Sequence, residues 1–374
     1  MNRQRHIKLL VGAPSVASDI RYASGFNAVD PVVYLERGHT RILIVPTMEC
    51  GRARRQSRRG VNVLTPSALK LGRGERGRIS SWILAALERL KARSVLVAPG
   101  FPLGIANRLR RAGVRMIVAK EALFPNRAVK TPREIRNISE TQRAAASAMQ
   151  AAVRMIQSAR IAKSGHLVAA GERLTAEAVR RVIDRTLLEH ECFAEETIVA
   201  CGRDAADPHE HGEGALRAGE TIVIDIFPRS RTHGYWGDIT RTVIRGKAPE
   251  QLRQMYRAVA AAQAAALLKL KAGVTVGAVH GAVQSVFEKR GFVTQLRNDR
   301  PEGFIHSTGH GVGLDIHESP SIRPGQERLK AGQVVTIEPG LYYPKIGGVR
   351  IEDTVLVTRT GFRYLARCGK RFEV

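Results

Sequence analysis

The stretch "TIVIDIFPRSRTHGYWGDITRT", Thr221 to Thr242, sets an acid into each of two runs that otherwise read as strands. In "TIVIDIF", Val223, Asp225 and Phe227 share one face of a period-two pattern. Thirteen residues after Asp225, Asp238 opens the next strand-like run. The placement recurs downstream: "VVTIEPG" carries Glu338, and "GVRIEDTVLV" carries Glu352 with Arg350 on the same face. A single carboxylate so placed reads equally well as a cap or as half of a structural ion pair. Four of them, two per half, repel one another at low dielectric unless something cationic joins them. Two divalent metal ions would supply that charge. A carboxylate-rich set with one imidazole suits manganese, iron, cobalt or zinc, and is wrong for a thiolate-type structural zinc.

The imidazole has to come from "FIHSTGHGVGLDIHESP" (Phe304–Pro320), which carries His306, His310 and His317. His306 and His310 have helical i, i+4 spacing, but Gly309, Gly311 and Gly313 argue against a helix there. No Glu follows His306, so the H-E-x-x-H zinc motif is absent. Glycines on both sides of His310 suit a backbone passing close to a metal. His306 and His317 then stand either side, able to hydrogen-bond a substrate or a developing oxyanion.

Around these segments the pattern is helix–helix–strands, twice. "TPRE" gives a capping box, with Thr131 as N-cap, Pro132 at N1 and Glu134 at N3. It opens a helix predicted to run to about Ile161, followed by one over Thr175–His190 and strands in Glu196–Ala200, Glu220–Phe227 and Asp238–Ile244. Helices over Pro249–Leu270 and Thr275–Lys289 follow, then strands at Val334–Glu338 and Gly348–Val357. Upstream, "RILIVP" (Arg41–Pro46), "SVLVAP" (Ser94–Pro99) and the helical "ISSWILAALERL" (Ile79–Leu90) alternate. The expected architecture is an α/β N-terminal domain, residues 1–125, a linker in Leu123–Pro132, and an α+β C-terminal domain, residues 131–374. The latter consists of two pseudo-two-fold halves with a site between them.

The chain's 374 residues are enough for two cores. No apolar run approaches a membrane span, and the one after the basic start, Leu9–Val11, is too short for a secretory signal, so a cytoplasmic location is expected. Cys50, Cys192, Cys201 and Cys368 form no C-x-x-C pair and read as reduced thiols. The net charge of +26 is concentrated upstream: 25 Lys+Arg against 7 Asp+Glu through Lys130, densest in "GRARRQSRRG" (Gly51–Gly60). An acidic partner such as nucleic acid is one reading. A solvated surface is the preferred one, because no aromatic residue interleaves these arginines in sequence.

The motifs "DITRT", "HSTGHGVGLDIHESP", "TIEPGLYYP" and "GGVRIEDTVLVT", in this order, resemble the pita-bread metallopeptidases, the family of prolidase, aminopeptidase P and methionine aminopeptidase. The likeness covers Leu123 to the C-terminus. "IRYASGF" (Ile20–Phe26) more weakly resembles the creatinase/prolidase N-terminal domain. The resemblance implies Asp225, Asp238, His310, Glu338 and Glu352 as ligands of two divalent metals, with manganese preferred and cobalt, zinc or iron compatible. It implies a metal-bridging hydroxide as nucleophile, Glu338 as proton shuttle, and His306, His317 and His209 on the substrate. His209 lies in "DPHEHGEG", where His211 competes for the role. Arg350 matches the prolidase and aminopeptidase P branch. The implied activity is hydrolysis of Xaa-Pro bonds in a proline-containing peptide by a homodimer. Two other readings stand beside it: a hydrolase of another small amide on the same fold, and a non-catalytic nucleic-acid-binding protein on that fold. One departure is visible. The Asp225–Asp238 stretch has Phe227 where the family usually has glycine and is two residues longer, which should set its loop, with His233 and Trp236, beside the site. His233 itself is expected to be a solvated loop residue.

Overall fold

The helix start at Thr131 shows how local chemistry sets the frame. In the computed structural model Glu134 N–H donates to Thr131 Oγ1 at 3.3 Å, and Thr131 N–H donates back to Glu134 Oε2 at 2.8 Å. Residues 6–297 and 299–374 are described; the basic start Met1–Arg5, on which the reading of a leader partly rested, lies outside them. The chain divides into two compact units, Met1–Arg127 and Ala128–Val374.

In the first unit strands β1 (Ile7–Gly12), β2 (Val32–Arg37), β3 (Thr40–Ile44), β4 (Val61–Leu64), β5 (Ser94–Val97) and β6 (Arg115–Val118) form one mixed sheet in the order β4-β3-β2-β1-β5-β6. Alternation along the strands feeds two cores. Leu9, Val33, Leu35 and Ile44 pack with Trp82 and Leu87 of a helix on one face. Leu10, Val32, Tyr34 and Leu43 pack with Ile20 and Phe26 on the other. The arginine-rich stretch lies in and after a short helix, Cys50–Gln56. Sequence showed no aromatic neighbours for it, but the fold brings two: Arg52 lies over Phe26 at 4.8 Å and Arg58 over Tyr22 at 4.9 Å. Arg54, Arg55 and Arg59 are exposed.

The second unit repeats one plan. Helices α1 (Pro132–Ser158) and α2 (Ala176–Glu189) precede an antiparallel sheet of β7 (Ile198–Cys201), β8 (Ile222–Ile226) and β9 (Ile239–Val243) in that order. Helices α3 (Glu250–Lys269) and α4 (Val276–Lys289) precede β10 (Gly309–Gly311), β11 (Glu318–Ile322) and β12 (Val334–Ile337). A hairpin of β13 (Gly340–Tyr343) and β14 (Gly347–Arg350) follows, then β15 (Asp353–Val357) and β16 (Phe362–Tyr364). The larger sheet runs β11-β10-β12-β15-β16. Each half buries the apolar stripe of its long helix: Ile138, Ala145, Met149 and Ile156 in the first, Leu252, Met255 and Val259 in the second. The shorter helices are capped alike. Ala178 N–H reaches Thr175 Oγ1 and Ala278 N–H reaches Thr275 Oγ1, each at 3.2 Å.

Two expectations are corrected. The first long helix stops at Ser158, because Ala159 turns extended and Arg160–Ile161 enters a small three-stranded sheet. The run Gly348–Val357 is two strands, broken at Ile351–Glu352 where the backbone leaves the hairpin for the larger sheet. Among the described residues, no helix is long and apolar enough to cross a membrane.

Candidate active site

Asp225 is the only one of the four acids inside a strand. Asp238 immediately precedes β9, Glu338 immediately follows β12, and Glu352 occupies the gap between β14 and β15. Strand ends are where a side chain can leave the pleat and converge on a point, and these do. One ligand atom each from Asp238, His310 and Glu352 lies within 4.8 Å of the others. His310 Nε2 is 3.5 Å from Asp238 Oδ2 and 3.2 Å from Glu338 Oε1. Asp225 joins through Thr240, whose Oγ1 is 2.7 Å from Asp225 Oδ1 and 2.8 Å from Glu352 Oε2.

Backbone placement is over-determined. The side-chain amide of Gln142 brackets Asp238, accepting from its N–H and donating to its C=O, both at 2.7 Å. Thr336 Oγ1 accepts from His310 N–H at 3.0 Å and donates to Glu338 Oε1 at 2.9 Å. That close approach explains Gly309: a Cβ there would overlap the carbonyl oxygen of Thr336. Behind the acids Arg241, fully buried, bonds Asp353 Oδ1 at 2.7 Å and the carbonyls of Thr240 and Glu352.

The electrostatics call for a cation. Burial, with Asp225 and Glu338 close by, holds the Asp238 carboxyl well above the usual carboxylate range. Burial and the neighbouring acids do the same to Glu352, and burial raises Glu338. Burial lowers the pKa of His310, which disfavours the imidazolium that would neutralise them. Its short contacts to Asp238 and Glu338 bring three side chains of metal-ligating kind together. His310 Nδ1 donates to the Gly311 carbonyl at 3.1 Å, which leaves Nε2 as a lone pair facing the acids. Arg350 offsets one of the four acids, with Nη2 on Asp225 Oδ2 at 2.7 Å and Nη1 on the Tyr342 hydroxyl at 2.7 Å, and leaves the other three without a cation in contact. A set of carboxylate oxygens and one imidazole nitrogen, short of positive charge, fits divalent metal ions.

A cavity of about 1070 Å³ opens on this cluster and is lined by all nine residues singled out from sequence: His209, Asp225, Asp238, His306, His310, His317, Glu338, Arg350 and Glu352. His317 is exposed at its face, and its ring meets that of His310 edge-on at 4.2 Å. His306 is tied back: Nδ1 donates to the Ser307 carbonyl at 2.7 Å and Nε2 accepts from the Tyr342 hydroxyl at 3.0 Å. Burial lowers the pKa of both rings. His209 and His211 both line the wall. His233 does not line the cavity, and it is not a freely solvated residue either. It is half-buried, with Nε2 3.7 Å from Glu140 and Nδ1 accepting from Tyr235 N–H at 3.2 Å. Sequence reading missed Tyr342, Thr240, Thr336 and Gln142. Thr240 and Thr336 had a signal, each standing two residues from an acid, Asp238 and Glu338, in a period-two run.

With that geometry in place, the likeness to known proteins is decisive. Residues 136–359 match the model of metallopeptidase family M24. The chain belongs to that family. A Xaa-Pro dipeptidase of Pyrococcus horikoshii is 30% identical over 353 residues, 93% of this chain and 90% of that protein. One from Pyrococcus furiosus is 36% identical over 243 residues, 64% of each chain. Among solved structures, the prolidase of Pyrococcus furiosus superposes with a TM-score of 0.79 at 26% identity over 97% of both chains. An X-Pro aminopeptidase of Thermotoga maritima gives 0.80 at 25% identity, over 99% of this chain and 97% of its own. The M24 membership and these superpositions establish the pita-bread fold, with its paired halves, for the second unit.

Proposed function

We propose that the protein is a two-metal peptidase that hydrolyses the bond preceding proline, with Ala128–Val374 as its catalytic domain and Met1–Arg127 as a creatinase/prolidase-like N-terminal domain. The observation that carries this is the convergence of four carboxylates and one imidazole in one cavity, flanked by two further histidines. The relatives named for Xaa-Pro substrates support the substrate class.

Asp225, Asp238, His310, Glu338 and Glu352 would hold the metals. When bound, such ions supply charge neutralisation and activation of a water for attack on a carbonyl. The protein does the rest. Thr240 and Thr336 fix the carboxylates, and the Nδ1–H of His310 fixes its ring. Glu338, raised by burial, is suited to carry a proton to the leaving nitrogen. His317 faces the substrate carbonyl, while His306, its two ring nitrogens engaged by Ser307 and Tyr342, lines the pocket in the one tautomer that Arg350 and Tyr342 hold. A bond to proline nitrogen is a tertiary amide without an N–H, so none of these contacts depends on a donor there. The reading carries with it manganese as the preferred metal, a cytoplasmic homodimer and no nucleic-acid partner.

The test is hydrolysis of Ala-Pro, Met-Pro, a longer Xaa-Pro peptide and a non-proline control by metal-stripped protein to which manganese, cobalt or zinc is returned. Cleavage before proline, restored by metal and abolished in Asp238→Ala, is expected. Failure to bind metal would overturn the ligand assignment. Metal binding without cleavage of any Xaa-Pro bond would overturn the substrate class.

A further inference from the structure

The lengthened stretch between Asp225 and Asp238 leaves the cavity wall after Phe227 and closes on itself. Arg229–Ser230 pairs with Cys192–Phe193, Arg229 bridges to Trp236, and Gly237 N–H donates to the Pro228 carbonyl at 3.0 Å. Trp236 then reaches across to a segment far away in sequence. Its backbone N–H donates to the Gly313 carbonyl at 2.9 Å, and its indole Nε1–H donates to the next carbonyl, Leu314, at 3.1 Å. The Arg229 guanidinium lies over the indole ring, 5.7 Å from its centroid.

Both carbonyls belong to the turn that separates His310 from His317. That turn starts at a strand end, Gly311, and contains Gly313, where a Cβ would run into the carboxyl of Glu318. Two successive carbonyls gripped by one residue fix the orientations of the two peptide planes that meet at Leu314, which a single contact cannot do. His317 stands three residues beyond Leu314, exposed on the cavity, with its ring against His310 at 4.2 Å.

The geometry points to Trp236 as a positioning residue: its paired N–H groups set the Gly313–Leu314 turn and thereby the placement of His317 beside His310. The longer loop is then the means by which the indole is delivered to that turn. The kinetic part of this inference rests on the peptidase reading; the structural part does not.

The experiment compares wild type with Trp236→Phe, which keeps a ring for Arg229 and deletes the indole donor. A second variant carries benzothienylalanine at 236, which keeps the indole shape without its N–H. In manganese-loaded full-length protein, amide hydrogen exchange in residues 314–317 should quicken about ten-fold in both variants. On a Xaa-Pro dipeptide kcat should fall roughly ten-fold with KM within two-fold. The thermal midpoint and the manganese bound per chain should match wild type. Unchanged exchange in residues 314–317 would overturn the inference, as would a loss of kcat that only tracks lost manganese or a lowered midpoint. Wild type that cleaves no Xaa-Pro bond would sink the peptidase reading, while the exchange measurement would still decide the role of Trp236.

Discussion

Replacing Thr240 by valine tests how the cluster is held. The side chain is fully buried, and its hydroxyl faces three charged groups: Asp225 Oδ1 at 2.7 Å, Glu352 Oε2 at 2.8 Å and Arg350 Nε at 3.2 Å. The hydroxyl has one proton, so it donates to one carboxyl at a time and accepts from the guanidinium. Without metal, the second short O–O contact is satisfied only if a carboxyl itself carries a proton, and burial with neighbouring acids keeps Glu352 well above the usual carboxylate range. Valine conserves the shape and removes one hydrogen bond to each kind of charge. Such bonds contribute roughly 1.5–3 kcal/mol each, and allowing for relaxation the expected loss is about 2–4 kcal/mol in the metal-free protein. Two units make a single unfolding curve ambiguous. The chain has two tryptophans, Trp82 in the first unit and Trp236 in the second, so a Trp82→Phe background reports the second unit alone. Urea unfolding followed by Trp236 emission measures the loss, and manganese competition measures affinity, which should weaken at least ten-fold. Thr240→Ser should recover most of both. A change below about 0.5 kcal/mol together with unaltered manganese affinity would refute the view that this hydroxyl organises the acids.

Gly309→Ala should destabilise the second unit by roughly 2 kcal/mol or more and abolish tight manganese binding, since the added methyl overlaps Thr336, which holds both His310 and Glu338; calorimetry and metal titration read it. Tyr342→Phe removes the hydroxyl between Arg350 and His306, and kcat should fall about ten-fold with metal content unchanged. The raised carboxyls of Asp238, Glu338 and Glu352 fix the sign of a pH effect in the metal-free protein. At these carboxyls the folded state binds more protons than the unfolded one, so their contribution to stability is greatest below the ordinary carboxylate range and is lost as pH rises through their raised values. Burial lowers His306, His310 and His317, whose contribution runs the other way and is complete once pH passes the ordinary imidazole value of about 6.5. Urea midpoints should therefore drop as pH rises above about 7, and saturating manganese should flatten or reverse that slope.

Helix starts were readable because their chemistry is local: Thr131, Thr175 and Thr275 each stand directly before a helix and cap it. The end of the first long helix was not, since "QSARIAKSG" holds no glycine or proline before Gly165 and the helix is ended by the pairing of Arg160–Ile161 with Leu167–Val168. The acids and histidines were legible as wrong residue types for their pattern. Their supports were not. Gln142 is one polar residue among many on a long helix, and nothing separates Tyr342 from Tyr343 until the backbone turns one toward Arg350 and sends the other to the Val293 carbonyl. The break at Ile351–Glu352 was hidden for the same reason. "GVRIEDTVLV" alternates well enough for one strand, but Ile351 N–H bonds Pro339 and Glu352 N–H bonds Thr240, partners outside the run, the second of them in the other half.

Those partners disclose how the two halves make one site. Each half contains an acid followed two residues later by a threonine: Asp238 with Thr240, and Glu352 with Thr354. Each threonine serves the other half. Thr240 Oγ1 lies 2.8 Å from Glu352 Oε2, and Thr354 Oγ1 donates to the Asp238 carbonyl at 2.7 Å. Arg241, next to the first threonine, reaches Asp353, next to the second, at 2.7 Å in a buried ion pair. The second half folded alone would leave Glu352 without the Thr240 hydroxyl, and the first would leave the Arg241 guanidinium without Asp353, each at a cost of roughly a few kcal/mol. The cluster therefore cannot be assembled piecemeal. The halves that build it are locked by the same residues that build it, so a substitution at Thr240, Arg241 or Thr354 should disturb metal affinity and the docking of the halves together.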